Sequence, residues 1–276
     1  MRYKIGIQLF GKLRQNNFCL DYFSALKNYL GTKEYDIDYY GCFWDEEDSI
    51  TTLNKHSLDF TSLSFEPYPT SGYHTQKYIE DYTEILDRMN ENPKSTCLFL
   101  SHYLLYKSYS QRKNYQFKNK IKYDLIICQR PDYLMGLKSM EYKLDNLFKK
   151  GGLTSYKIYS GIQNPHHKSE YFPTCYGDDF IFGGDVRTMD LFCSSYNYFY
   201  NDDKKHYYKT HHLNFAQVIN SFNLWLDESW RGRLIRTDNP HEDNTGAPLI
   251  NLDEYKHIQV WKDDSIPSTI ESSSKS

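Results

Sequence analysis

The sequence predicts an α/β domain with a central, mostly parallel sheet flanked by helices, and three observations predict it. Short apolar runs bounded by glycine alternate with longer stretches whose apolar residues recur at helical spacing. A strand, a helix and a second strand follow one another within about 40 residues, the opening of a βαβ unit. Residues 123–128 (YDLIIC) form the strongest run for a strand buried on both faces.

The elements follow in order. Residues 3–10 (YKIGIQLF) read as a strand closed by a turn at Gly11. Phe18, Tyr22, Phe23, Leu26 and Leu30 share one helical face, and Gly31 suits the C-terminal cap. Residues 35–44 (YDIDYYGCFW) form the second strand, and 58–65 the third, ended by Pro67 and Pro69. Helices are expected over 73–92 and 95–118, separated by Pro93. Strand 123–128 runs into a turn at Pro131 and Asp132. A helix over 142–149 is ended by Gly151 and Gly152, and a strand follows at 155–159. A short strand over 180–182 runs into Gly183 and Gly184. Helices over 186–200 and 213–228 and late strands at 233–236 and 258–261 complete the pattern. One domain is expected over 1–262, with a polar, Ser-rich tail at 263–276 too poor in apolar residues to pack.

Composition narrows the function classes. The 276 residues are 39% hydrophobic and 25% charged, a globular balance, and tyrosine is abundant at 27 against 16 Phe. Tyrosine suits sugar binding, since its ring stacks on C–H groups while its hydroxyl hydrogen-bonds; codon bias in an AT-rich genome enriches it equally well. A net charge of -3 argues against a nucleic-acid partner. The basic cluster from Lys107 to Lys122 reads as the solvated face of a helix. No apolar run is long enough to span a membrane, and residues 1–11 lack a signal-peptide core, so a cytoplasmic protein is expected, in the host cell if the source is viral. The six cysteines stand singly, a pattern of buried free thiols rather than zinc ligands or disulfides.

In open α/β sheets ligands bind beyond the carboxyl ends of the strands, which directs attention to the residues just after each strand. These are Gly11 and Arg14; Asp45, Glu46 and Glu47; Gln129, Arg130 and Asp132; and Gly183, Gly184 and Asp185. A nucleoside diphosphate needs backbone N–H groups at a glycine turn, cations for its phosphates and often a carboxylate holding a divalent metal. Gly11, Arg14, Arg130 and Asp132 supply those groups, although a glycine after a strand is also an ordinary turn residue. His102 and Lys107 lie on the helix before the central strand, within reach of a donor base or phosphates or simply on the surface. His166–His167 and His211–His212 are adjacent pairs whose side chains diverge, unsuited to one metal. The chain lacks HExxH, a P-loop, G-x-G-x-x-G and G-x-S-x-G, which lowers hydrolase, kinase and dehydrogenase readings.

Four segments, IGIQLFGKLR, YDIDYYGCFWDE, YDLIICQRPD and GDDFIFGGDVRTMD, resemble in order those of glycosyltransferases from large DNA viruses, phages and bacterial surface-polysaccharide loci, including chlorovirus-type xylosyltransferases. The resemblance covers residues 3–235. It implies a GT-A-like fold, a nucleotide-sugar donor (a UDP-sugar such as UDP-xylose), and a glycan or glycoprotein acceptor. It places Asp45, Arg130 and Asp132 at the donor, with Asp132 as the candidate ligand of a divalent metal, Mn or Mg. The sequence departs from the GT-A pattern in having Gln129-Arg130-Pro131-Asp132 where an Asp-x-Asp pair is usual. Arg130 then offers a metal-free way to neutralise the leaving diphosphate. For an inverting transfer, Asp179 and Asp185 are the candidate bases and Gly183 and Gly184 candidate acceptor contacts; Asp185 also stands where the cap of the 186–200 helix is expected. The alternatives are a non-catalytic glycan-binding protein on the same fold and a nucleotidyltransferase.

Overall fold

A computed structural model describes residues 2–13, 17–45, 53, 58–67, 96–162, 177–200, 211–227, 230 and 233–234. The expected α/β architecture is found. Strands β1 (Tyr3–Gly11), β2 (Tyr35–Asp45), β3 (Phe60–Pro67), β4 (Leu125–Gln129), β6 (Lys157–Ile162), β7 (Gly177–Gly184) and β8 (Trp225–Asp227) make one seven-stranded sheet ordered β3-β2-β1-β4-β7-β6-β8. Strand β7 is antiparallel to both its neighbours, and every other pairing in this sheet is parallel. Strands β5 (Tyr133–Leu134) and β9 (Arg233–Leu234) pair separately as a small antiparallel ribbon. This mixed, mostly parallel sheet with helices on both faces is consistent with a GT-A-like fold.

The side-chain period of two splits the sheet into two apolar layers. Ile5, Ile7 and Leu9 of β1 face one layer with helices α1 (Asn17–Gly31) and α3 (Leu137–Phe148). Phe10 faces the other, with α2 (Thr96–Asn119), α4 (Val186–Cys193), α5 (Ser195–Tyr200) and α6 (His211–Ser221). Beside Phe10, the second layer also takes in a polar cluster. Gln8 and Arg112 are fully buried there, Arg112 Nε donating to Gln8 Oε1 at 2.6 Å and Nη2 pairing with Asp190 at 2.6 Å. Thus the basic cluster expected on a solvated helix face sends its arginine inward. Lys113 ties to the same Asp190 at 2.8 Å, and Lys118 and Lys120 are exposed. Cys19, Cys42, Cys128 and Cys193 are buried free thiols.

Several boundaries differ from the sequence reading for local reasons. Helix α3 starts at Leu137 because Leu137, Met140, Leu144 and Leu147 form one buried stripe. The helix expected over 186–200 breaks at Ser194, whose N–H closes the last turn of α4 onto Asp190 and Leu191 carbonyls. The helix expected to reach 228 stops at Ser221. Asn223 adopts φ 52, the left-handed cap geometry that asparagine tolerates, and Leu224 N–H donates back to Ile219 O at 2.8 Å. Trp225–Asp227 is therefore an edge strand. Gly183 and Gly184, expected as a turn, lie inside β7. The expected helix over 73–92, the strand at 258–261 and the 263–276 tail lie outside the described residues.

Candidate functional site

The chain runs from β1 to β2 to β3 on one side, then returns to place β4 on the other side of β1. The carboxyl ends of β1 and β4 therefore flank a topological switch point, where open α/β sheets leave a crevice between diverging connections. Gly11 ends β1 with φ 119, a conformation closed to side-chain-bearing residues, and a Cβ there would meet no atom within 4 Å. Across the crevice β4 ends at Gln129 and a tight turn follows, Tyr133 N–H donating to Arg130 O at 3.2 Å.

That turn holds an ion pair at the carboxyl end of β4. Arg130 grips Asp132 with two prongs, Nε to Oδ1 at 2.9 Å and Nη2 to Oδ2 at 2.7 Å. Its guanidinium lies 4.9 Å from the centre of the Phe180 ring, and the side chains of Arg130 and Asp132 are 19% and 4% exposed. The backbone is pinned too, Arg130 N–H donating to Phe180 O at 2.8 Å. Asp132 faces the first turns of α1: the Cys19 thiol is pushed well above its ordinary value by burial first, and then by the charge of Asp132. The result is a planar cation fixed in orientation by carboxylate, ring and backbone, suited to an anion carrying several oxygens.

Other expected site residues divide by position. Asp45 ends β2 and is half-buried. Asp179 lies two residues before Ile181, the partner of Gln129, so antiparallel β7 carries it past the carboxyl end of β4 beside the Arg130 turn. Lys107 pairs with Glu66 of β3 at 3.0 Å, and Tyr103 donates to the same carboxylate at 2.7 Å. This places Lys107 at the carboxyl end of β3, away from the switch point. Arg14 lies outside the described residues.

Four expectations are corrected by the geometry. His102 is fully buried, its Nδ1 2.8 Å from Ser195 Oγ and its ring centroid 4.1 Å from that of Phe215, so it braces α2 against α5 and α6 rather than standing on the surface. Gly183 is a packing glycine: a Cβ there would run into the Trp230 indole, and one on Gly184 would meet Lys157 O at 2.9 Å. Asp185 caps α4, accepting from Thr188 N–H at 2.8 Å. Because Gly184 pairs with Ile126 while Ile181 pairs with Gln129, Asp185 sits at the amino end of β4, roughly 13 Å of strand from the crevice. Antiparallel β7 is the cause: had it run parallel, its end would have joined the site.

Asp132 also fits a divalent ion poorly. Both its oxygens are engaged by Arg130, whose positive charge would repel an ion bound there. Among the described residues no three His, Cys, Asp or Glu side chains gather with metal-binding geometry. The sequence reading missed Glu66 and Trp230. Glu66 carries the same signal as Asp45, an acid at a strand end. Trp230, 1% exposed and stacked on Tyr159 at 6.0 Å, has no periodic apolar neighbour in the sequence to announce it. No helix among the described residues is long and apolar enough to cross a membrane. No protein-family model and no curated protein sequence matches the chain.

Proposed function

We propose that the chain is a glycosyltransferase that takes a sugar, xylose or a relative, from a UDP-sugar and transfers it to a hydroxyl of a glycan or glycoprotein. The observation that supports this reading is the oriented Arg130 just past the carboxyl end of β4, the strand that pairs with β1, which ends at the positive-φ Gly11. The donor diphosphate takes the crevice, Gly11 allowing close backbone approach and Arg130, with Arg14, bearing the charge of the departing diphosphate. Asp45 contacts the nucleoside side of the donor. Asp179 serves as base: it removes the acceptor proton as the acceptor oxygen attacks the anomeric carbon and the bond to diphosphate breaks, inverting that centre. Arginine takes the place that a Mn or Mg ion holds in metal-dependent relatives of the fold.

A thermal-shift screen of nucleotides and nucleotide-sugars, with and without manganese, tests this reading. A ligand selective for the folded state raises Tm. Stabilisation by UDP or a UDP-sugar, independent of manganese, supports it; no shift with any nucleotide contradicts it. A second reading, a glycan-binding protein without turnover, is favoured by one observation. Asp132 is committed to Arg130 and Asp185 is committed to a helix cap, which leaves few carboxylates for chemistry.

A further inference from the structure

The large sheet ends at β8, whose outer side bears no further strand among the described residues. Trp225 opens that strand with 76% of its surface exposed, the most exposed Trp among the described residues. Parallel pairing sets Trp225 opposite Lys157 and Asp227 opposite Tyr159. Strand alternation sends Leu226 into the apolar layer and leaves Trp225 and Asp227 together on the other face. Lys157 lies between Asp227 and Tyr159, its Nζ 2.7 Å from Asp227 Oδ2 and 5.1 Å from the Tyr159 ring centre. Thr154, Ser155, Lys157, Trp225, Leu226 and Asp227 line an open cleft of about 410 Å³, within the size range of small-ligand sites.

The lip of this cleft is held in an unfavourable backbone state. Tyr156 has φ 63, a left-handed geometry that costs an aromatic residue energy. Two hydrogen bonds keep it there: Trp225 N–H donates to Tyr156 O, and Tyr156 N–H to Thr188 Oγ1, each at 2.7 Å. An apolar occupant is disfavoured by the ion pair and hydroxyls, and a purely ionic one by the indole. A pyranose satisfies both, laying its C–H face on an aromatic ring and its hydroxyls against donors and acceptors at the rim.

We propose that this cleft binds a pyranose unit of a glycan, stacked on Trp225, with Asp227 accepting from its hydroxyls and Lys157 donating to its oxygens. The cleft is a site separate from the switch point, since β7 and β6 set β8 roughly 14 Å across the sheet from β4. Its occupancy needs no nucleotide, so it stands whether or not the chain transfers a sugar.

Isothermal titration of the full chain with xylotetraose, cellotetraose, chitotetraose and mannotetraose, without nucleotide, tests it. Saturable binding of at least one is expected, weakened about tenfold or more by Trp225→Ala, the scale of one stacked ring, and weakened by Asp227→Asn. The exposed indole makes Trp225→Ala neutral for folding, which thermal melting checks. Absence of saturable binding to all four, equal affinity in Trp225→Ala, or displacement of the oligosaccharide by UDP overturns the proposal. So does a concentration-dependent dimer in sedimentation that Trp225→Ala abolishes, because a second copy then covers the indole. Failure of donor turnover with oligosaccharide binding intact counts against the transfer reaction alone.

Discussion

Arg130 and Asp132 form a two-pronged ion pair across a single proline, at 2.9 and 2.7 Å, at the carboxyl end of the central strand. The arginine is thereby a structural and a recognition group at once. Removing it takes both of these charged hydrogen bonds from a nearly buried carboxylate, a large penalty. Arg130→Ala should destabilise the chain by about 2–3 kcal/mol in urea denaturation, discounted for the partial exposure of Arg130. Adding Asp132→Asn should restore most of that stability without restoring nucleotide affinity. Equal stability of wild type and Arg130→Ala would show that the pair carries no net energy.

Gly183 faces Trp230 so closely that a single methyl must displace the indole. Gly183→Ala should cost roughly 1–3 kcal/mol, the range for overpacking a filled core. Trp230→Phe in the same chain should recover part of the loss if the clash is the cause. Equal losses with and without Trp230→Phe would place the strain elsewhere.

The fully buried Arg112 is held by Gln8, Gln116 and Asp190. Arg112→Met fills similar space and removes the charge, leaving Asp190 with Lys113 on the outer side. A loss of about 2–4 kcal/mol is expected, with Arg112→Lys also impaired because an ammonium cannot reproduce the forked donors. Chemical denaturation measures both, and a lysine variant as stable as wild type would contradict the forked geometry.

Tyr40 predicts an alkaline instability. Its hydroxyl is pushed from 10.0 up to about 12, by burial first, with the Tyr123 hydrogen bond opposing and the charge of Asp38 adding. Above pH 10 the unfolded chain loses this proton while the folded chain keeps it, so stability present at neutral pH falls as pH rises toward 12. Tyr40→Phe should flatten the slope of stability against pH in that window by up to about 1.4 kcal/mol per pH unit. An unchanged slope would assign the alkaline loss to other tyrosines.

Much of the sheet was legible because its strands announce themselves locally. Residues 3–10, 35–44 and 123–128 are mostly apolar runs bounded by turns, and the first two with the helix between them follow the order of a βαβ unit. What the sequence left hidden is direction and distance. No local signal marks β7 as antiparallel, and that single reversal moves Asp185 and Gly184 to the wrong edge while carrying Asp179 to the right one. The Asn223 cap and the edge strand after it were masked by Trp225 and Leu226, which continue a helical apolar pattern. At the site, Arg130 and Asp132 were both found as residues after a strand, but their mutual pairing depends on the turn geometry at Pro131. Trp230 reaches Gly183 from 47 positions away, a contact that chain periodicity does not encode.

The central claim is donor turnover at the switch point, and the most direct measurement is chromatographic detection of UDP released from a panel of UDP-sugars by the full chain in excess EDTA. The account predicts slow release of UDP from at least one donor, surviving EDTA, falling steeply in Arg130→Ala with Asp132→Asn and in Asp179→Asn, and unchanged in Trp225→Ala when no acceptor is added. No release from any donor, with the chain folded and UDP failing to bind, would contradict it.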